Sequence, residues 1–130
     1  MLEYRDFEKT VIAYLLTNPS AVGGFDCNLI SAPDFYEILA GLSKLNTPLP
    51  VPVRIFLDNN VIDSSTAGEI QERIDAMQKT GMAFGEYRLA MDALKDRQKI
   101  REILLTLEQS RELVKNGEVH EGIMKAKRIS

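Results

Sequence analysis

The run from Phe84 to Val114 contains no proline, and its only glycine, Gly85, stands at the start. Leu, Ala, Glu, Lys, Arg and Gln dominate it, residues that lose little side-chain freedom in a helix. At 1.5 Å per residue such a helix would be roughly 45 Å long. It exceeds the average of about 11–12 residues several-fold, so its far half is expected to project beyond the globule that holds its near half. Ile100, Ile103, Leu104, Leu107, Arg111 and Val114 step by three and four and share one face. Arg111 interrupts the stripe, but its aliphatic stem can lie along it. Leu105 and Leu113 fall to the side and widen the apolar surface.

Asn116-Gly117 then reads as a helix stop, because glycine reaches the left-handed conformation without steric cost. Lys115 places a cation at the negative end of the helix dipole. Beyond the stop, Val119, Ile123, Ala126 and Ser130 share a face, with Met124 and Ile129 beside it, as in a short return helix. A turn this short makes the two helices antiparallel neighbours. The pair is either part of a larger bundle or an oligomerisation hairpin. Two lone helices cannot bury both apolar faces, and exposed patches of that size mark interfaces. The expected oligomer interface is Ile100, Ile103, Leu104, Leu107, Val119 and Ile123.

Upstream, the chain reads as short helices separated by punctuation. Phe7, Val11, Ile12, Leu15 and Leu16 give helical spacing over Arg5 to Thr17, with Asp6 as a candidate cap. Asn18-Pro19-Ser20 ends that helix. Gly23-Gly24 marks a break before a short buried helix carrying Phe25, Leu29 and Ile30. Ser31 is the candidate cap of the next helix, with Pro33 in its first turn. Its expected core face is Phe35, Ile38, Leu39, Leu42 and Leu45. Three prolines between Asn46 and Pro52 make a rigid connector. Val53 to Leu57 form a short helix that ends at Asp58-Asn59-Asn60. Ser64-Ser65-Thr66 are read as capping a helix through Gln78 with Ile70, Ile74 and Met77 facing inward, closed by Lys79-Thr80-Gly81. No alternating run rich in β-branched and aromatic residues persists long enough for a strand. The expected class is all-α: a helical globular subdomain over residues 1–82 and a helical hairpin over 83–130.

Several functional classes are disfavoured by what the chain holds. The net charge is −3 and the pI near 5.2, so no global basic field draws it to nucleic acid. One cysteine excludes an intrachain disulfide and suits a reducing cytoplasm. No apolar run approaches the ~20 residues of a membrane span, and the first residues lack the pattern of a signal peptide. The chain ends in what still reads as helix, as a fragment of a longer protein would.

Cys27 has no second cysteine or nearby histidine to complete a metal site and is expected in or near the core. His120, the only histidine, is expected to be a solvated residue at a helix start. Glu69, Glu72 and Asp75 share a face that reads as a charged exterior rather than an acid pair. Lys95, Arg97, Lys99 and Arg101 interleave with Asp92, Asp96 and Glu102 as solvated helix charges. A basic rim near nucleic acid, extended by Lys125, Lys127 and Arg128, is the minor alternative, and no aromatics interleave to stack bases. Gly-x-x-x-x-Gly-Lys-Ser/Thr occurs nowhere. No catalytic, cofactor-binding or metal-ligating residues are assigned, and no cofactor is expected.

The order of elements resembles the N-terminal domain of the hexameric replicative DNA helicases of the DnaB type. Glu8 to Leu16 followed by Asn18-Pro19 is similar to that family's opening helix and proline stop. Phe35-Tyr36-Glu37-Ile38-Leu39 resembles its Ile-Phe-Glu helix, and Thr47-Pro48-Leu49-Pro50 with Val51 to Leu57 falls at its Lys-Pro-Ile-Asp segment and next helix. Ala83 to Tyr87 with Arg97 to Leu104 resembles the long helix, and Val119 to Ile129 the final one. Pro50 departs from the family's Asp, Gly68 stands for a glycine pair, and Gly23-Gly24 is unusual there, as in a diverged phage- or plasmid-borne branch. The resemblance implies a six-helix globule plus hairpin. It also implies self-association into the ring collar, and docking of primase or a helicase loader with at most indirect DNA contact. NTP-driven unwinding would belong to a separate motor domain. The alternatives are the helicase-binding C-terminal domain of a primase and a small helical ligand-binding protein or enzyme.

Overall fold

The computed structural model describes residues 4–115, and every regular element among them is helical. Five α-helices run Tyr4–Thr17 (α1), Pro33–Leu45 (α2), Arg54–Asp58 (α3), Ser64–Thr80 (α4) and Ala83–Lys115 (α5). Two 3-10 turns, Pro19–Gly24 and Cys27–Leu29, link α1 to α2. The all-α class follows from the sequence pattern directly: apolar residues recur at helical spacing, and proline, glycine or the Asn59-Asn60 pair separates the helices. The expected turn at Asn116-Gly117 and the return helix lie outside the described residues.

The chain divides into two compact units, Met1–Leu94 and Lys95–Ser130. The division falls inside α5, so the first three turns of that helix belong with the globule. Its core is built around α1, where Val11, Ile12, Leu15 and Leu16 are fully inaccessible and Ala13 nearly so. Buried positions on both sides of the helix mean that it is covered by more than one neighbour. α4 and α2 pack on it most extensively. They contribute Ile70, Ile74 and Met77, and Phe35, Ile38, Leu39 and Leu42. Tyr87, Ala90 and Leu94 of α5 complete the cluster at steps of three and four. The proline connector is tied down by the Val51 amide, which donates to the Leu16 carbonyl at 2.8 Å. α3 lies close to α2: a Cβ on Gly41 would stand 2.7 Å from Cε1 of the Phe56 ring.

Helix ends differ from expectation in three places. The described part of α1 begins at Tyr4, so Asp6 is within the helix and not its cap. It meets the ammonium of Lys9 at 3.4 Å instead. Ser31 does not cap α2. Ala32 holds that position without a side-chain hydrogen bond, and the carboxylate of Glu8 fixes the segment that leads into the helix. Glu8 Oε1 accepts from the Ser31 and Ala32 amides at 2.7 and 3.0 Å. At α4 the cap is Asp63, one residue before the serines, accepting from the Thr66 amide at 2.8 Å. A carboxylate there also favours the positive end of the helix dipole. At the other end, Gly81 closes α4 in the left-handed conformation, φ 69°.

One expected core residue is outside. Leu45 is 49% exposed, because α2 ends at left-handed Asn46 one turn beyond Leu42, the last leucine its neighbours cover.

Candidate functional site

α5 changes character along its length. Up to Leu94 its apolar residues divide between the core and the surface. From Ile100 to Leu107 every leucine and isoleucine is exposed: Ile100 by 52%, Ile103 by 46%, Leu104 by 59%, Leu105 by 57% and Leu107 by 46%. Four of them were assigned from periodicity to one face, and the structure brings those four together on one stretch of helix. Leu105 carries the apolar surface around the side. Of the two remaining expected interface residues, Val119 and Ile123 lie outside the described residues, as do His120, Lys125, Lys127 and Arg128. The side chains of Leu113 and Val114 are likewise outside the description.

The stripe is flanked by exposed charges of both signs, Lys99, Arg101, Glu102, Glu108, Arg111 and Glu112. Such an arrangement can bury aliphatic area against a matching helix while the charged flanks set register and exclude wrong partners. Fully burying each leucine or isoleucine is worth about 1.5–3 kcal/mol relative to exposure. Thr106 stays on its own helix, its hydroxyl donating to the Glu102 carbonyl at 2.9 Å.

Arg97 departs from the expected solvated charge: it is 7% exposed. It lies three residues beyond Leu94 and seven beyond Ala90, in register with the buried face of α5. That register was visible in the sequence, and the alternation of charge around position 97 obscured it.

One cluster of charged groups ties three helices of the globule together. Arg5 Nη2 lies 3.1 Å from Asp34 Oδ2 and 3.0 Å from Glu69 Oε2, joining α1, α2 and α4. Its guanidinium also lies over the Phe35 ring, 4.5 Å from the centroid. Asp34 Oδ2 takes a further bond from the Thr66 hydroxyl at 3.1 Å. The bond to Asp34 raises the Arg5 pKa against the opposing cost of burial, and Glu69 adds to the rise. Burial pushes the Asp34 pKa up, and the Arg5 bond and charge outweigh it, so the net direction is down. Glu69 is thus a structural ion-pair partner, while Glu72 and Asp75 are exposed on the outer face. Asp75 accepts from the Gln71 amide at 3.0 Å.

Tyr14 and Tyr87 stack at 4.1 Å between centroids, and Tyr87 titrates above its ordinary value through burial first and the neighbouring Tyr14 second. Cys27 is a half-buried free thiol. Among the described residues no cluster of three His, Cys, Asp or Glu side chains is arranged for a metal ion, and no helix is long and apolar enough to cross a membrane.

The residue that sequence reasoning missed most completely is Glu8, 3% exposed. Its signal was present: it sits three and four positions before Val11 and Ile12, within the apolar stripe of α1. A carboxylate in that register needs buried donors, and the amides of Ser31 and Ala32 just before α2 supply them. No protein-family model, no curated protein and no solved structure matches the chain.

Proposed function

We propose that this chain is an assembly and docking domain of the kind found at the N-terminal end of DnaB-type hexameric replicative helicases. It joins a second copy of itself through the distal half of α5 and offers its globule to a primase or a helicase loader in the cytoplasm. The exposed aliphatic stripe Ile100, Ile103, Leu104 and Leu107 carries the proposal. Residues of this kind are normally depleted on a solvated helix face, and a contiguous row of them marks an interface. The order of helices and the turn residues quoted above supply the helicase comparison. Under this reading the chain has no catalysis of its own, and the NTP-dependent motor belongs to another part of the parent protein.

The test is the solution mass by light scattering across a range of concentrations, for the wild-type chain and for Leu104→Asp. The wild type is expected to associate, and the variant to remain helical by circular dichroism but to dissociate. A wild type that stays monomeric throughout, or a variant that associates like it, refutes the assembly surface. Capture by purified primase supports a helicase origin. Capture by a helicase ring instead would assign the domain to a primase.

A further inference from the structure

Within the Met1–Leu94 unit, a cleft of about 230 Å³ opens between α1, α4 and the first turns of α5. Its apolar wall is Phe7, Leu89 and Ala90, and its polar wall holds Asp6, Thr10, Arg73 and Glu86. Leu89 is 70% exposed at the rim. Glu86 Oε2 is shielded from solvent and has no hydrogen-bond partner among the described residues. The neighbouring cation does not supply one: Arg73 Nη2 faces Asp6 Oδ1, at 3.9 Å, beyond hydrogen-bond length. Asp6 is also approached by Lys9 at 3.4 Å.

A shielded carboxylate oxygen without a donor requires an explanation, because buried polar groups are almost always paired. We propose that this cleft binds an organic cation on a short alkyl stem, an alkylammonium or alkylguanidinium group. The cationic head donates to Glu86 Oε2, with Asp6 adding negative charge, and the methylene stem lies along Phe7, Leu89 and Ala90. A long cationic side chain has this double character, apolar along its stem and charged at its tip. The cleft is separate from the distal stripe of α5, so the proposal stands or falls independently of self-association.

The test is an amide chemical-shift titration of the full chain with n-butylammonium, and with n-butanol as the uncharged counterpart of similar length. The ammonium ion is expected to give saturable shifts at Thr10, Glu86, Leu89 and Ala90. Butanol should bind at least tenfold more weakly, and Glu86→Gln should weaken the ammonium ion by about tenfold, as loss of a charge-assisted hydrogen bond implies. Equal shifts from butanol, or no saturable shift from either probe, would leave an ordered water as the partner of Glu86 and overturn the proposal. The butanol comparison uses the wild-type chain, so it holds even if the variant folds poorly. A short peptide with one lysine then separates the sources. Tighter binding than butylammonium identifies a protein side chain, and equal or weaker binding a free amine.

Discussion

Gly41 and Gly68 both lie inside helices, α2 and α4, yet the same substitution should stabilise at Gly68 and not at Gly41. Replacing an interior helical glycine by alanine gains about 0.8–1 kcal/mol, because the unfolded chain loses freedom it would otherwise have to give up. At Gly68 nothing lies within 4 Å of the new Cβ, so that gain should appear whole. At Gly41 the Cβ would stand 2.7 Å from Phe56 Cε1, with Cζ and Cδ1 at 3.5 and 3.6 Å. Carbon pairs prefer about 3.5–4.0 Å, so the ring or the helices must move by roughly 1 Å. Phe56 is 4% exposed, so its ring has little room to turn aside. Overpacking of this kind costs about 1–3 kcal/mol, which offsets or exceeds the helix gain. The two variants should therefore differ by about 1–3 kcal/mol. For a cooperative unit of this size, that is a gap of about 4–24 °C in melting temperature at roughly 4–8 °C per kcal/mol. Thermal and urea unfolding followed by circular dichroism would measure it. The cost at Gly41 should also shrink in a Phe56→Leu background, since neighbours in contact are not additive. If Gly41→Ala proves as stable as Gly68→Ala, the close approach of α3 to α2 is not a constraint.

Glu8→Ala removes the acceptor for the Ser31 and Ala32 amides and should destabilise the fold by about 2–4 kcal/mol, whereas Glu8→Gln keeps an oxygen there and should cost roughly half as much; chemical denaturation of both variants checks the order. Asp34 titrates below its ordinary 3.8 when folded, so its contribution is present above that pH and is lost as pH falls through the lower folded value. Stability should thus decline below about pH 4. Asp34→Asn should flatten that decline, and an unchanged acid limb would show that the Arg5 cluster does not set it.

Much of the globule was legible because its signals are local. Asn18-Pro19, Pro33 and Gly81 punctuate the chain, and each acts through its own backbone, so the helices they bound could be placed from a few neighbouring residues. Glu8 acts on amides 23 and 24 positions away, a partnership that no local pattern encodes. Its position within an apolar stripe could flag a buried charge but not name the donors. Asp63 and Ser64 are both good caps, and the choice between them depends on where the backbone leaves the extended region, one residue from the expected place. Leu45 satisfied the period of α2 and is still exposed, since periodicity tells which face a residue takes and not how far along the helix its neighbours extend.

The same distinction governs the last helix. Ile70, Ile74 and Met77 on α4 and Ile100, Ile103 and Leu107 on α5 repeat with similar three- and four-residue steps, yet the first set is buried and the second exposed. Periodicity therefore cannot distinguish a core face from an exposed apolar row; burial in the folded chain can. A stretch of α5 that served only as a solvated extension would require no apolar row. Polar residues with good helix propensity would hold it equally well. An exposed aliphatic row also carries an aggregation hazard, one that burial against a specific partner would remove. On that argument Leu104, the most exposed member of the row, is a sensitive place to separate the proposed assembly from folding: a charge there faces solvent in the isolated chain and would face apolar surface in the proposed complex.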